Sequence, residues 1–456
     1  MWMPLLAPGR PKYLALADSI DAALCRGELL PGQRLPTHRD LAEALGVTVG
    51  TVTRGYAEAA RRGAVRGEVG RGTVAAPAGQ ASGPWWGGEG AGGIDLGLVT
   101  GMYGLDPDLG AALQDLPRRV DVQELLRYQP SGGMARHREA GSRWCARYGV
   151  QAGPERVLVT AGGQHGLLVL LSVLFRPGDR VAVGCLNYPG LLSAAGLLGL
   201  RLVPVALDAE GVVPESLDEA CSRDTVRGVY LMPGAHNPTS ASPSADRQER
   251  LAQVARARGL QIIEDAAYAL TAEEPLPTVA ALAPERTSFI ASVSKAVAGG
   301  LRVAFVAAPP DMVERLELGI TGTTWMASPL CVEIASGWLA DGTAEVVLRR
   351  KRAEATRRMA CARKLLCGLD CTGLRQGYFL WLRLPEPWRA SDFERAAGLR
   401  GVTVIGADAF AVGQTAAPAA VRVSLSAARG MDELERGLAV LAQLVGETPR
   451  PVRAIV

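Results

Sequence analysis

No part of this chain reads as an export signal or a membrane span. Its N-terminus has no basic flank followed by a continuous apolar stretch. The apolar run Leu167–Phe175 is nine residues long, well short of the ~20 that cross a bilayer as a helix. Eight cysteines are present, but Cys361, Cys367 and Cys371 have neither zinc-like spacing nor histidines close by. Reduced structural thiols and no metal are therefore expected. The 54 glycines and 29 prolines follow no collagen period, and a hydrophobic share of 48% excludes wholesale disorder. These absences leave a cored, globular, cytoplasmic protein with no membrane partner as the expectation. At 456 residues it is too long for one ordinary domain.

The net charge of +3 is unevenly spread. Residues 1–78 hold ten Lys/Arg against seven Asp/Glu, and the remainder holds 39 of each. In this basic segment Tyr13, Leu14, Leu16, Ala17 and Ile20 repeat with helical spacing, and Leu30-Pro31-Gly32 supplies a turn. Thr37 can cap a second helix, His38–Leu45, ended by Gly46. Thr48 can cap a third that runs to about Arg62, with Val49, Val52 and Tyr56 on its buried stripe. The opposite face shows Gly50, Thr51, Thr53 and Arg54, residues small enough for a DNA groove or able to meet bases and phosphates. After Gly63, residues 64–74 read as two short strands, a wing that presents Arg66 and Arg71. A helical protein-interaction module with solvent-facing arginines is the competing reading of this pattern. Pro77 through Gly93, with Trp85 and Trp86, reads as a linker.

From Ile94 onward apolar runs alternate between strand and helix character. Val157–Thr160, Val181–Val183, Arg201–Val205, Val226–Leu231, Leu260–Glu264, Ser288–Ala291 and Val303–Ala307 are buried-strand candidates. Helices between them argue for a three-layer α/β domain on a mainly parallel sheet. A long charged helix around Gly342–Leu366 and a strand at Gly377–Leu384 suggest a smaller α+β subdomain. The expected division is 1–78, a linker 79–93, and 94–456. Within the last, a large part spans about 135–328, and a small part spans about 329–456 with the 94–134 segment.

Lys295 follows a strand, where a loop can hold its amine in a cleft. A lone lysine means little, and its companions carry the inference. Asp265 at a strand end can pair with a protonated pyridine nitrogen and deepen an electron sink. Tyr268 and Asn237 can both reach the phenolic oxygen of such a ring. Arg302 with Ser292 and Ser294 can bind a phosphate dianion. Gly162-Gly163-Gln164, between strand and helix, offers amides and a helix N-terminus to the same phosphate; a tight strand–helix turn needs the same glycines. Tyr188 can stack on the ring, or simply pack.

Two resemblances follow from these residues. Leu35-Pro36-Thr37-His38-Arg39-Asp40-Leu41-Ala42 and Gly70-Arg71-Gly72-Thr73 resemble the winged helix-turn-helix of the GntR regulators. That resemblance implies DNA contacts from Arg39, Thr51, Thr53, Arg54 and Arg71. Asn237-Pro238-Thr239, Asp265-Ala266-Ala267-Tyr268, Ser292-Val293-Ser294-Lys295 and Arg302 make residues 94–430 look like a fold-type-I aminotransferase domain. This implies that Lys295 holds pyridoxal 5'-phosphate covalently. It implies that Asp265, Tyr268, Asn237, Arg302, Ser292, Ser294, Tyr188, Gly162, Gly163 and Gln164 surround the cofactor. Tyr128 would reach the neighbouring subunit's phosphate, and Arg422 would bind a substrate carboxylate.

The fusion of the two resembles the MocR subgroup of GntR regulators. A head-to-tail homodimer is then expected, bound to a double-stranded DNA operator. Its cofactor, or an adduct with an amino acid or amine, would shift the placement of the DNA modules. Control of vitamin B6, amino-acid or amine metabolism is the implied role. A turnover aminotransferase acting on an α-amino acid, with Lys295 as the catalytic base, is the alternative. A regulator whose enzyme fold is vestigial is a third reading.

Overall fold

The computed structural model describes residues 2–4, 11–25, 28–29, 33–61, 65–68, 72–75, 93–271 and 278–447. The Leu30-Pro31-Gly32 turn, Gly63, Gly70-Arg71 and the linker up to residue 92, with Trp85 and Trp86, lie outside the described residues. The chain forms two compact units, Met1–Glu89 and Gly90–Val456.

The first unit has helices Lys12–Cys25, His38–Leu45 and Val49–Arg61, then an antiparallel strand pair, Val65–Glu68 with Gly72–Ala75. The Thr37 hydroxyl accepts from Asp40 N (3.3 Å), and Gly46 closes that helix at φ 60°. Thr48 caps the third helix through Thr51 N at 3.2 Å. Leu16, Ile20, Leu41, Val52 and Tyr56 close one small core. Gly55 lets two helices approach, since a Cβ there would lie 2.6 Å from Leu16 Cδ2. The Tyr56 hydroxyl donates to Pro36 O at 2.8 Å, which pins the entry to the second helix. These are the parts of a winged helix-turn-helix.

The second unit is built on a seven-stranded sheet. Its order is Val157–Thr160, Ala304–Ala307, Thr287–Ser292, Gln261–Asp265, Val226–Leu231, Arg180–Gly184 and Arg201–Val205. Ala304–Ala307 runs antiparallel to both neighbours, and the other pairings within the sheet are parallel. Strands buried on both faces explain the unbroken apolar runs. All six remaining strands therefore point their carboxyl ends to one edge, where α/β sheets bind ligands.

A second, four-stranded antiparallel sheet orders Cys371–Thr372, Phe379–Arg383, Ala420–Ser424 and Ile405–Gly406. Side chains alternate across it. Leu380, Leu382, Val421 and Val423 enter a core with Met359, Phe393 and Leu438. Phe379, Trp381 and Arg422 take the opposite face. Before both sheets in sequence runs a strap, residues 93–106. Its Ile94–Asp95 pairs in parallel with Val402–Thr403, and Ser424 N donates to Leu96 O at 2.7 Å. Thr100 is tied to Ser426 through Thr100 Oγ1 to Ser426 O, 2.8 Å.

Among the described residues, no helix is long and apolar enough to cross a membrane, and no cluster of His, Cys, Asp and Glu is arranged to hold a metal.

Candidate functional site

The carboxyl edge of the large sheet carries Gly162, Tyr188, Asn237 and Lys295 on loops and Asp265 at a strand end. Asp265 is the last residue of its strand rather than the first after it. Adjacent Glu264 points the other way and accepts from Val279 N and Ala280 N (2.8 and 2.7 Å), so the two carboxylates serve different faces. Asp265 is buried and accepts from the Tyr230 hydroxyl (3.0 Å) and Ala267 N (3.1 Å). Burial pushes its pKa up to about 6 despite these donors. Among the described residues no cationic side chain forms an ion pair with it. A buried carboxylate so placed suits a cationic ring N–H.

Lys295 is half-buried and donates from Nζ to Val99 O of the strap at 2.5 Å, while its own carbonyl accepts from the Tyr378 hydroxyl at 3.1 Å. Burial lowers its pKa to about 8, aided by the charges of Arg422, Arg302 and Lys351. Since the neutral amine is the nucleophile, its capture by an aldehyde is expected to quicken with pH and to level off above about 8. Reductive trapping across a pH series measures this. A rate still climbing towards the ordinary lysine value of ~10.4 would contradict the assignment.

The Arg302 side of the cleft is defined by shape. Arg302 sits in the left-handed region at φ 52°, ψ 54°, costly for a non-glycine residue. Its guanidinium lies against Gly162, where a Cβ would stand 2.5 Å from Nη2 and the positive φ favours glycine. Gly162 (φ 86°) precedes the helix Gly163–Leu174, whose N-terminal amides face this corner. Ser292 Oγ accepts from Ser294 N at 3.2 Å, and the buried Ser294 Oγ has no hydrogen-bond partner among the described residues. An arginine, an orphan hydroxyl and a helix N-terminus together suit a dianion. Gln164 lies in the first turn of that helix. Its Nε2 donates to Gly190 O at 2.9 Å and holds the Tyr188 loop.

On the opposite wall Arg422 is buried, donating to Asn237 Oδ1 and Gly97 O, both at 2.7 Å. Its guanidinium lies 5.0 Å from the Phe410 ring centre and 5.8 Å from that of Phe379. Its Nε has no hydrogen-bond partner among the described residues. Because Arg422 takes the Asn237 oxygen, the Asn237 amide nitrogen is left as the donor. Tyr268 packs edge-on against Phe379 at 5.1 Å, and burial drives its phenol pKa upward. Burial also raises that of Tyr188, beside the charges of Asp265, Arg302 and Arg422. Tyr128 is 81% exposed and packs at a tilt against Trp325, ring centres 5.7 Å apart.

In the first unit Arg39, Thr53 and Arg54 are exposed, and Thr51 is half-buried. Two hydroxyls are already engaged, Thr53 Oγ1 donating to Val49 O (3.0 Å) and Thr51 Oγ1 bonding Thr48 Oγ1 (2.9 Å). The Arg54 guanidinium lies 4.3 Å over the Tyr13 ring. Arg71 lies outside the described residues.

Sequence reasoning misses Tyr230, the strap carbonyls of Gly97 and Val99, and Lys351. Tyr230 reads only as part of a buried strand, and backbone carbonyls leave no trace in residue type.

The fold and cleft define a class: a fold-type-I aminotransferase-like domain behind a winged helix-turn-helix. Residues 95–441 match the model for aminotransferase class I and II, and residues 12–74 match that for bacterial regulatory proteins of the gntR family. The chain belongs to the MocR subgroup of GntR-family transcriptional regulators. It is 32% identical to the HTH-type transcriptional regulator YdeF of Bacillus subtilis, over 98% of this chain and 97% of that protein. It is 30% identical to the vitamin B6 salvage pathway transcriptional repressor PtsJ of Salmonella typhimurium, over 90% of this chain and 93% of that one. Among solved structures it resembles the α-aminoadipate aminotransferase LysN of Thermus thermophilus, complexed with N-(5'-phosphopyridoxyl)-L-leucine. That match has a TM-score of 0.70 at 27% identity and covers 77% of this chain and 92% of that one.

Proposed function

We propose that this regulator binds pyridoxal 5'-phosphate at the carboxyl edge of its large sheet and couples occupancy of that cleft to binding of double-stranded operator DNA. The observation that carries the reading is the buried Asp265 carboxylate, without a cationic partner among the described residues, in one cleft with a lysine of depressed basicity. When bound, the cofactor supplies an electron sink for charge developing on an amine substrate. Asp265 would pair with the ring N–H, and Tyr230 keeps that carboxylate in place. Arg302, Ser292, Ser294 and the Gly162-Gly163 amides hold the phosphate. Tyr268 and the Asn237 amide face the phenolic oxygen, and Tyr188 covers the ring. Lys295 would hold the cofactor through its amine, and Arg422 would take the carboxylate of an amino-acid ligand. A switch requires the loaded and empty cleft to favour different arrangements of the chain.

The exposed aromatic pair Tyr128 and Trp325 supports a homodimer in which Tyr128 approaches the second copy's phosphate. The name of the Salmonella relative supports a role in vitamin B6 metabolism, with amino-acid or amine metabolism as the wider class. Arg39 and Arg54 are the DNA contacts proposed from the described face, with Arg71 as the wing contact.

The test is capture of genomic DNA by the full-length protein with and without pyridoxal phosphate. Cofactor-dependent occupancy of a defined set of operators is expected; occupancy indifferent to cofactor would refute the coupling. On an operator so found, Arg39→Ala and Arg54→Ala are each expected to weaken binding and to lower the salt slope by about 1. Unchanged affinity and slope would remove both from the contact set. Turnover as an aminotransferase is the second reading, favoured by the Arg422–Asn237 pairing on the cofactor wall. Steady release of keto acid from an amino acid would establish it.

A further inference from the structure

Lys351 breaks the pattern of its helix. On Thr343–Leu365 the positions Ala344, Val347, Leu348, Ala355 and Met359 form a buried apolar stripe. Lys351 occupies the same stripe and is fully buried, at 0% exposure. An ammonium there needs compensation that a methionine of similar volume would not. The compensation is specific. Nζ donates to Asp106 Oδ1 and to Val297 O, each at 2.6 Å. Asp106 ends the strap, and Val297 lies two residues beyond Lys295. The strap and the lysine loop meet beside this cation: a Cβ on Gly101 would stand 2.9 Å from Ser294 O and 3.4 Å from Lys351 Nζ. The same strap offers Val99 O to Lys295 and Gly97 O to Arg422.

We propose that Lys351 is a positioning residue for the Lys295 site, a buried cation that clamps the strap to the lysine loop and so fixes the carbonyls that receive Lys295 and Arg422. The inference rests on the cofactor reading of that cleft. Its charge also bears on Lys295, after burial and the two arginines.

The experiment uses full-length protein loaded with pyridoxal phosphate and reads two quantities, the pH midpoint of the visible band and the rate of cofactor loss on dialysis. Lys351→Met is expected to lose cofactor at least tenfold faster. Its midpoint should move upward by roughly half a pH unit, because a positive charge has left the neighbourhood. Lys351→Arg is expected to restore the midpoint. Asp106→Asn, made at the less buried partner, removes the carboxylate that offsets the burial of Lys351 and loosens one arm, so it should speed cofactor loss. An unmoved midpoint in folded Lys351→Met would make Lys351 a packing residue and overturn the proposal. If that variant fails to fold, Asp106→Asn decides, and a wild-type rate of loss overturns it. Absence of any band in the wild-type protein would instead overturn the cofactor reading, and this inference with it.

Discussion

Lys295→Ala is expected to take covalent incorporation of pyridoxal phosphate from stoichiometric to undetectable. The measurement is borohydride reduction followed by mass analysis of the intact chain. With its basicity lowered to about 8, Lys295 holds on the order of 10²-fold more neutral amine at pH 7 than an ordinary lysine. Among the described residues no other amine shares its place at the edge of the sheet. The buried Lys351 is committed to Asp106 and Val297 O. Phosphate contacts from Arg302 and the serines remain in the variant, so weak, reversible cofactor binding should survive. The winged helix, with its own core around Leu16 and Val52, should keep its fold and its salt-dependent affinity for DNA. A reduced adduct still forming on the Lys295→Ala chain would refute the assignment.

Arg422→Leu is expected to separate two classes of effector. Removing one partner of a buried, hydrogen-bonded charge pair costs ~3 kcal/mol, or about 10²-fold in affinity. That loss should fall on α-amino acids, while amines without a carboxylate should change less than about threefold. The aromatic flanks at Phe410 and Phe379 keep the guanidinium dry, which makes the pairing strong and its loss visible. Arg422→Lys should fall between, since an ammonium cannot present a planar fork. Titrating the change in cofactor absorption with paired ligands, one with and one without the carboxylate, checks this. Equal losses for both would show that Arg422 acts on the cofactor wall through Asn237 rather than on the ligand.

Much of the cleft is legible in the sequence because its side chains sit where buried strands end. Lys295, Asp265 and Arg302 are polar residues interrupting apolar runs, and the loops that carry them leave one edge of the sheet. The end of the Asp265 strand differs by one residue, because a strand's last residue and the next read alike in a single sequence. The direction of Ala304–Ala307 is not legible: an apolar run buried on both faces looks the same whether parallel or antiparallel. The backbone amides of Gly162-Gly163-Gln164 are legible as a helix start, but the bond from the Gln164 side chain to Gly190 O is not, because residue type does not say where an amide turns. Thr53 and Arg54 are exposed as the helical pattern suggests, while the Thr53 bond to Val49 O and the Tyr13 ring beside Arg54 leave no trace in residue type. Lys351 does carry a signal, a charge in an apolar stripe, but its meaning depends on partners 245 and 54 positions away.

The strap sets how force would enter the large domain. Residues 76–92 lead from the winged helix to it along the chain. A pull on that stretch first meets Ile94 N on Gly401 O (2.6 Å) and Leu96 N on Thr403 O (2.9 Å). Next in line come Gly97 and Val99, whose carbonyls are held by Arg422 and Lys295. Tether, sheet edge and ligand-facing cations therefore lie in series, like links on one line. Residues 94–99 are thus gripped in turn by the Gly401–Thr403 backbone and by two cations of the cleft.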